Sequence, residues 1–514
     1  MPELRVHVRT HHILIRDIAL RARPALLELV RRYSEFGSQR LPNGRYVKIH
    51  VRTYAARTQD WQELRFHINQ LPALKEVLKK HQIEGDMVEY ITTPTYEPTR
   101  VELRILDKWQ PRDYQLPVLE FMNTRNPPPP FPQGYTAAKL VAIQTGKGKS
   151  FCGMNSMSHY GARAWINIKP MYIEKWIEDV LKTYDITEDD IRVVQGGAAM
   201  MKLLDDALND SITEKIIITS NKTYQNYLKM YELFSYKLAD HGYAFPPDQF
   251  CEACGIGFRL IDEVHQDFHL NFKVDLYTHG PVSISLSATL TSYQSFMEQM
   301  YEIAYPREVR YDKMEYHKYV SARSLIWGLQ FPQKVKYKNG GSYSHNVFEQ
   351  SILKYKGMTS NYLEMMRSTI NIDFMQDRRE GDRCLIFCAS IDMCTVVTDY
   401  MKAQYPNLDV RRYVEKDPYE NAMEPDIIVS TMLSAGTALD IPNLRMVFMT
   451  TCMQSKQGNI QGFGRLRFIE GVKLRFVYTA CESIPKQMAY HEEKKTLLRD
   501  RALYYRTDYY RTPV

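Results

Sequence analysis

Leu140-Val141-Ala142-Ile143-Gln144-Thr145-Gly146-Lys147-Gly148-Lys149-Ser150 decides how the chain reads. Four apolar residues run into a glycine-rich turn that closes on Lys149-Ser150, the strand–loop–helix context in which backbone cradles phosphate. Gly146 and Gly148 let the chain curl so that successive N–H groups face one point. Thr145 and Lys147 complete the loop. Lys149 is placed to reach the β- and γ-phosphates of a nucleotide. Ser150, at a helix N-terminus, is placed to hold Mg²⁺. About 110 residues on, Ile261-Asp262-Glu263-Val264-His265 closes another apolar run. One carboxylate there can hold Mg²⁺ while the other orients a water. Together the two segments predict hydrolysis of ATP or a closely similar nucleotide.

Outward from the loop, β-rich apolar runs at 140–143, 164–168, 191–194, 215–219, 258–261 and 282–286 alternate with amphipathic stretches. That alternation predicts an α/β fold with a doubly wound parallel sheet. A second series at 383–387, 426–430, 445–450 and 474–479, with a helix over 392–404, predicts another such sheet. It has no second Gly-Lys-Ser, so nucleotide is expected between two domains, the second supplying charge. The domains are expected at 1–110 (a small α+β accessory module that binds nucleic acid), 111–307 and 308–485, followed by a basic, Tyr-rich tail at 486–514. Within 1–110, strands are expected at 4–7 and 46–54, and helices around Leu26 and over 71–80. Residues 334–343 read as a basic hairpin or loop, and the prolines 127–130 as a stiff connection ahead of the loop strand.

The 514 residues are 44% hydrophobic and 25% charged, an ordinary globular balance. No uninterrupted apolar run is long enough for a membrane span, and the first residues lack a signal peptide's apolar core. Eight scattered cysteines fit a reducing, cytoplasmic setting, a host's cytoplasm if the source is viral. Cys251-x-x-Cys254 followed by His265 and His269 comes near zinc-finger spacing. However, His265 belongs to the Asp-Glu-Val-His segment, so the cysteines are expected in the core. Net charge is +7, and residues 1–110, with 19 Lys/Arg against 13 Asp/Glu, carry 19 − 13 = +6 of it. Basic residues among Tyr504, Tyr505, Tyr509 and Tyr510 suit a nucleic-acid strand or a solvated terminus.

An ordered series of motifs extends the reading. Arg112-Asp113-Tyr114-Gln115 resembles the glutamine motif that reads adenine in superfamily 2 helicases. Leu286-Ser287-Ala288-Thr289-Leu290 is similar to their Ser-Ala-Thr motif. The segments 383–390, 430–443 and Gln461-Gly462-Phe463-Gly464-Arg465-Leu466-Arg467 resemble motifs IV, V and VI. Within the superfamily, the length, the small basic N-terminal module and the compact second domain resemble the UvsW-type helicases of tailed bacteriophages, which act like RecG on branched DNA. Three departures stand out. Ile143-Gln144 replaces the common Ala-Pro, Ala438 replaces a common glycine, and one residue rather than two separates Arg465 from Arg467.

The resemblance implies two tandem RecA-like domains, ATP and Mg²⁺ as cofactors, and a catalytic set of Lys149, Asp262, Glu263, Gln461, Arg465 and Arg467. The arginine finger falls to Arg465 or Arg467, Arg467 being preferred. It implies Arg112 and Gln115 at the adenine. His265, Ser287, Thr289, Lys169, Pro170, Thr219, Thr437 and Asp440 would couple the site to a nucleic-acid track. The implied activity is an ATP-dependent DNA helicase or translocase, acting as a monomer on branched, forked or single-stranded DNA in recombination, replication or repair. An RNA helicase, a translocase subunit of a restriction or remodelling complex, and an ATP-switched clamp remain open alternatives.

Overall fold

The computed structural model describes residues 2–40, 45–124, 137–144, 146–265, 267–287, 295–312, 317–435 and 440–514. Thr145, Thr289, Thr437, Ala438 and the prolines 127–130 lie outside them. The chain forms two compact units, Met1–Met314 and Glu315–Val514.

The first unit is built on a seven-stranded sheet, every neighbouring pair parallel. Its order is Ile191–Val194, Ile216–Ser220, Ala164–Ile168, Phe258–Ile261, Ser283–Ser287, Ala138–Ala142 and Arg310–Tyr311. The strands Ala164–Ile168, Ile216–Ser220 and Ser283–Ser287 are buried at every residue, which explains their continuous apolar or small-residue runs. Because all strands point one way, their carboxyl ends at Ala142, Ile168, Ile261 and Ser287 gather along one edge, where open α/β sheets bind ligands. The second unit repeats the plan: Val410–Tyr413, Ile427–Thr431, Arg383–Cys388, Leu444–Met449, Leu474–Cys481, Val320–Trp327 and Tyr504–Tyr509, again all parallel. The expected architecture, two tandem RecA-like doubly wound sheets with a small N-terminal sheet, is the one observed.

Two of the expected boundaries fall within packed structure. The stretch 486–514 is no loose tail: helix Pro485–Arg499 is followed by an edge strand, Tyr504–Tyr509, paired with Val320–Trp327. Arg323 bridges to Asp508 (3.1 Å) and Ser324 donates to Thr507 Oγ1 (2.8 Å). The basic and tyrosine residues of 504–509 are therefore spaced for a strand, where alternate side chains face opposite ways.

Residues 1–110 do not stand apart either. Their five-stranded sheet (Ala56–Arg57, Leu64–His67, His12–Arg16, Leu4–Val8, Val88–Thr92) shares one continuous core with the parallel sheet, from Leu4 to Val309. Beside it a polar network is buried. Arg65 lies 2.6 Å from Glu63 and 3.5 Å from Asp248, Arg9 lies 2.8 Å from Asp248, and the Tyr231 hydroxyl donates to Glu63 (2.6 Å). Burial alone would lower the Arg65 pKa, but Asp248 and Glu63 outweigh it and raise it. Removing one partner from such a buried pair costs about 3–5 kcal/mol. The module is thus part of the first unit's core, and cutting at 110 would expose that core. A separate antiparallel pair, Ser34–Arg40 with Tyr46–Thr53, completes the module. In the second unit, Lys338–Asn339 pairs with Ser342–Tyr343, so the basic stretch 334–343 holds a short hairpin.

Candidate nucleotide site

The glycine-rich turn leaves the carboxyl end of Ala138–Ala142 and enters helix Lys149–Tyr160. Gly146 and Gly148 adopt φ of +86° and +79°, a region that only glycine enters freely. Gly153, one turn further, packs where a Cβ would stand 3.1 Å from Leu260 and from Leu286, so it lets the helix lie close on the sheet. These choices aim the helix N-terminus at the sheet edge.

There the two halves meet. The Lys149 ammonium lies 2.9 Å from Asp262 Oδ1 and is bonded to Glu263 Oε1. Burial would lower the Lys149 pKa, but Asp262 and then Glu263 raise it, so the ammonium is charged. Asp262 is fixed from both sides: its Oδ1 accepts from the Glu263 N–H (2.8 Å) and its Oδ2 from the Trp176 indole (3.3 Å). Glu263 itself holds φ +50°, a left-handed conformation uncommon for a non-glycine residue and typical of sites where surrounding structure imposes strain. Ser150 sits in the first turn of the helix beside Lys149.

His265 follows on the same strand end. Its Nδ1 is hydrogen-bonded to Ser287 Oγ (2.7 Å) and lies 3.4 Å from Glu263 Oε2. Burial pushes its pKa down to about 4, against the pull of Glu263, so the ring is neutral at pH 7. A single imidazole therefore joins the Asp-Glu pair to Ser287, the first residue of the Ser-Ala-Thr segment.

Gln115 is brought to the loop in an unexpected way. Its Oε1 accepts from the Arg112 N–H (2.9 Å) and its Nε2 donates to the Lys147 carbonyl (2.9 Å). The residue is buried, and its amide clamps the loop. Arg112 turns to the Tyr114 hydroxyl (3.0 Å), and the Lys147 ammonium lies 4.8 Å over the Tyr114 ring. Tyr114 and Trp176 were missed by the sequence reading. Tyr114 lay inside a quoted motif, whereas Trp176 has no local signal because its partner is 86 residues away.

The track residues divide. Lys169 and Pro170 follow strand Ala164–Ile168 at the same edge; Lys169 lies 3.4 Å from Asp267, and Met171 beside them is exposed. Thr219 is buried, with its hydroxyl accepting from the Trp165 indole (2.8 Å), because every side chain of Ile216–Ser220 is covered. The zinc pattern also resolves into packing. Cys251 and Cys254 are buried, burial pushing the Cys251 thiol up to about 12, while His269 Nε2 is hydrogen-bonded to the Thr53 carbonyl (3.3 Å).

In the second unit, Gln461 lies in helix Lys456–Phe463, which follows strand Leu444–Met449. Arg465 is buried, its Nε donating to the Gln461 carbonyl (3.4 Å). Arg467 donates to Asp440 Oδ1 (3.1 Å) and to the Gly464 carbonyl (3.1 Å). Asp440 is thus held by the preferred finger residue.

No protein-family model matches the chain, and no curated protein matches it. Among solved structures it is similar to the Pyrococcus furiosus Hef helicase domain, at 12% identity over 76% of this chain and 100% of that one, with a TM-score of 0.45. It is similar to T4 UvsW at 13% identity over 99% of each chain, with a TM-score of 0.33. It is also similar to S. cerevisiae Dbp5 bound to RNA and ADP BeF3, at 11% identity over 78% of this chain and 90% of that one, with a TM-score of 0.48. All three likenesses are remote and carry nothing about reaction or substrate. No helix among the described residues is long and apolar enough to cross a membrane.

Proposed function

We propose that this chain is an ATP-hydrolysing motor of the superfamily 2 helicase type that moves on nucleic acid, with branched or forked DNA as its substrate. One observation carries the reading. A P-loop lysine, held at the carboxyl edge of a parallel sheet, contacts the Asp262–Glu263 pair. Two carboxylates and the Ser150 hydroxyl offer the hard oxygen donors that suit Mg²⁺ bound through one or two protein groups and the substrate's phosphates. Mg²⁺ bound there would neutralise charge building on the phosphate oxygens. Glu263 takes the proton of the attacking water at its carboxylate, Lys149 steadies the phosphates, and Asp262, braced by Trp176, holds its orientation. The units Met1–Met314 and Glu315–Val514 would act as the two motor domains. Gln461 with Arg465 or Arg467 would complete the charge around the phosphate, a contribution worth roughly 10³–10⁵ in rate for arginine fingers.

Steady-state ATPase assays without nucleic acid, and with single-stranded DNA, forked DNA and matched RNA, test this. Wild type should be stimulated most by forked DNA. Glu263→Gln should lower kcat by roughly 10²–10⁴, the usual worth of a general base, and Lys149→Ala should abolish turnover. Stimulation by RNA alone would transfer the motor to RNA. Turnover unchanged in both variants would remove the site.

A further inference from the structure

The antiparallel arm Ser34–Arg40/Tyr46–Thr53 has no part in the nucleotide site. It belongs to neither large sheet nor to the five-stranded one, and its eight-residue strand spans roughly 27 Å. The register places Phe36 opposite His50 and Ser38 opposite Lys48, so alternation sorts the arm into two faces. One carries Phe36, Lys48 and His50: the ammonium lies 4.3 Å over the Phe36 ring, and the His50 ring meets it edge-on at 5.7 Å. The other carries Val47, Ile49 and Val51. Phe36 is 41% exposed and Val51 44% exposed, so both faces are open. A two-stranded hairpin in water is marginal by itself, and grouped apolar side chains left exposed mark an interaction surface. Its charge names the partner: residues 34–53 hold Arg40, Arg45, Lys48 and Arg52 against Glu35 alone. Cations interleaved with rings match a strand that offers phosphates and base faces.

The foot of the arm is tied to the ATPase segments. The Thr53 carbonyl accepts from His269 Nε2, and the Tyr54 hydroxyl donates to Met297 Sδ (3.0 Å). The Tyr54 ring meets Phe272 at 5.0 Å and Phe296 at 5.7 Å. Helix Phe268–Asp275 begins three residues after His265, and helix Ser295–Ala304 follows the strand that ends at Ser287. The arm is therefore rooted on the helices that follow the two segments His265 joins.

We propose that this arm binds single-stranded nucleic acid, with phosphate at Lys48 and a base against the Phe36–His50 rings, and that its foot carries occupancy toward the ATP site. This rests on the motor reading above. The test uses the full chain and a fluorescein-labelled oligonucleotide, as DNA and as RNA, followed by anisotropy across a salt series. Phe36→Ala with Lys48→Glu should weaken binding roughly tenfold or more, as expected for one lost stacking contact. It should also flatten the salt slope by about 0.7 for a lost phosphate contact. The strand concentration giving half-maximal ATPase stimulation should rise by the same factor. Lys79→Glu, a charge reversal on the exposed side of helix Leu71–Lys80, should leave affinity within about twofold. Lys48→Ala alone should act in the same direction, which guards against a misfolded double variant. Affinity equal to that of Lys79→Glu, or a loss confined to duplex, overturns the proposal. A wild-type chain that hydrolyses ATP but binds no strand would instead sink the motor reading itself.

Discussion

At Gly148 the absence of a side chain decides whether the phosphate loop can form. Its φ of +79° costs an L-residue about 1–2 kcal/mol, and an added Cβ would stand 2.4 Å from Gln115 Nε2. Gly148→Ala should therefore weaken ATP binding at least roughly tenfold, read by titration with a fluorescent ATP analogue. Adding Gln115→Ala removes the clashing amide but not the backbone strain, so it should restore part of the affinity and not all. Wild-type affinity in the single variant would show that the loop is not the cradle. The same residues explain what the sequence could reveal. Lys149, Ser150, Asp262 and Glu263 were legible because phosphate binding needs a contiguous turn and a carboxylate pair, both local in the chain. The bond from Gln115 to the Lys147 carbonyl was not legible, since it depends on a loop 32 residues away.

Among the elements, strands with neighbours on both sides were the easiest to read. Ala164–Ile168 and Phe258–Ile261 lie where their apolar runs predict, because parallel strands buried on both faces announce themselves by composition. Val320–Trp327 and Tyr504–Tyr509 escaped notice. The first carries Ser321, Arg323 and Ser324 among its apolar residues, and the second is polar at most positions because an edge strand meets water. The edge strand nonetheless closes the second sheet. Six of its residues register with Ser321–Ile326, and the Val514 N–H donates to the Gly328 carbonyl (2.9 Å). At about 0.5–1.5 kcal/mol net per hydrogen bond, removing residues 503–514 should cost the second unit more than about 3 kcal/mol. That corresponds to a melting point lower by roughly 6–12 °C for a unit of this size, measured by calorimetry. An unchanged transition would mark the strand as a dispensable flap.

For the molecule as a whole, the informative surprise is where the N-terminal module ends. Composition separated it as a basic accessory piece, yet its sheet is welded to the first unit through buried side chains, a relation between segments some 200 residues apart that no local pattern records. Histidines line that seam: His11, His12 and His67 are all buried. Burial pushes His67 from 6.5 down to about 3, and it lowers His11 and His12 as well. A histidine held neutral in the folded state binds a proton only after unfolding over the window from about 6.5 to 3, so the unfolded chain carries more protons there. Stability then rises with pH through this window and is lost as pH falls below about 6.5. For His67 alone the loss between pH 7.5 and 5.5 is about 1.4 kcal/mol, one proton's worth per pH unit below 6.5. His67→Asn should keep an acceptor for the Asn69 N–H that His67 Nδ1 now takes (3.3 Å) while removing the titration. Urea midpoints at the two pH values should therefore converge by that amount in the variant, whatever pH-independent packing cost it carries. If the pH dependence is the same with and without His67, the seam is wet enough to protonate in place. The N-terminal sheet would then be a looser partner of the motor than its packing implies.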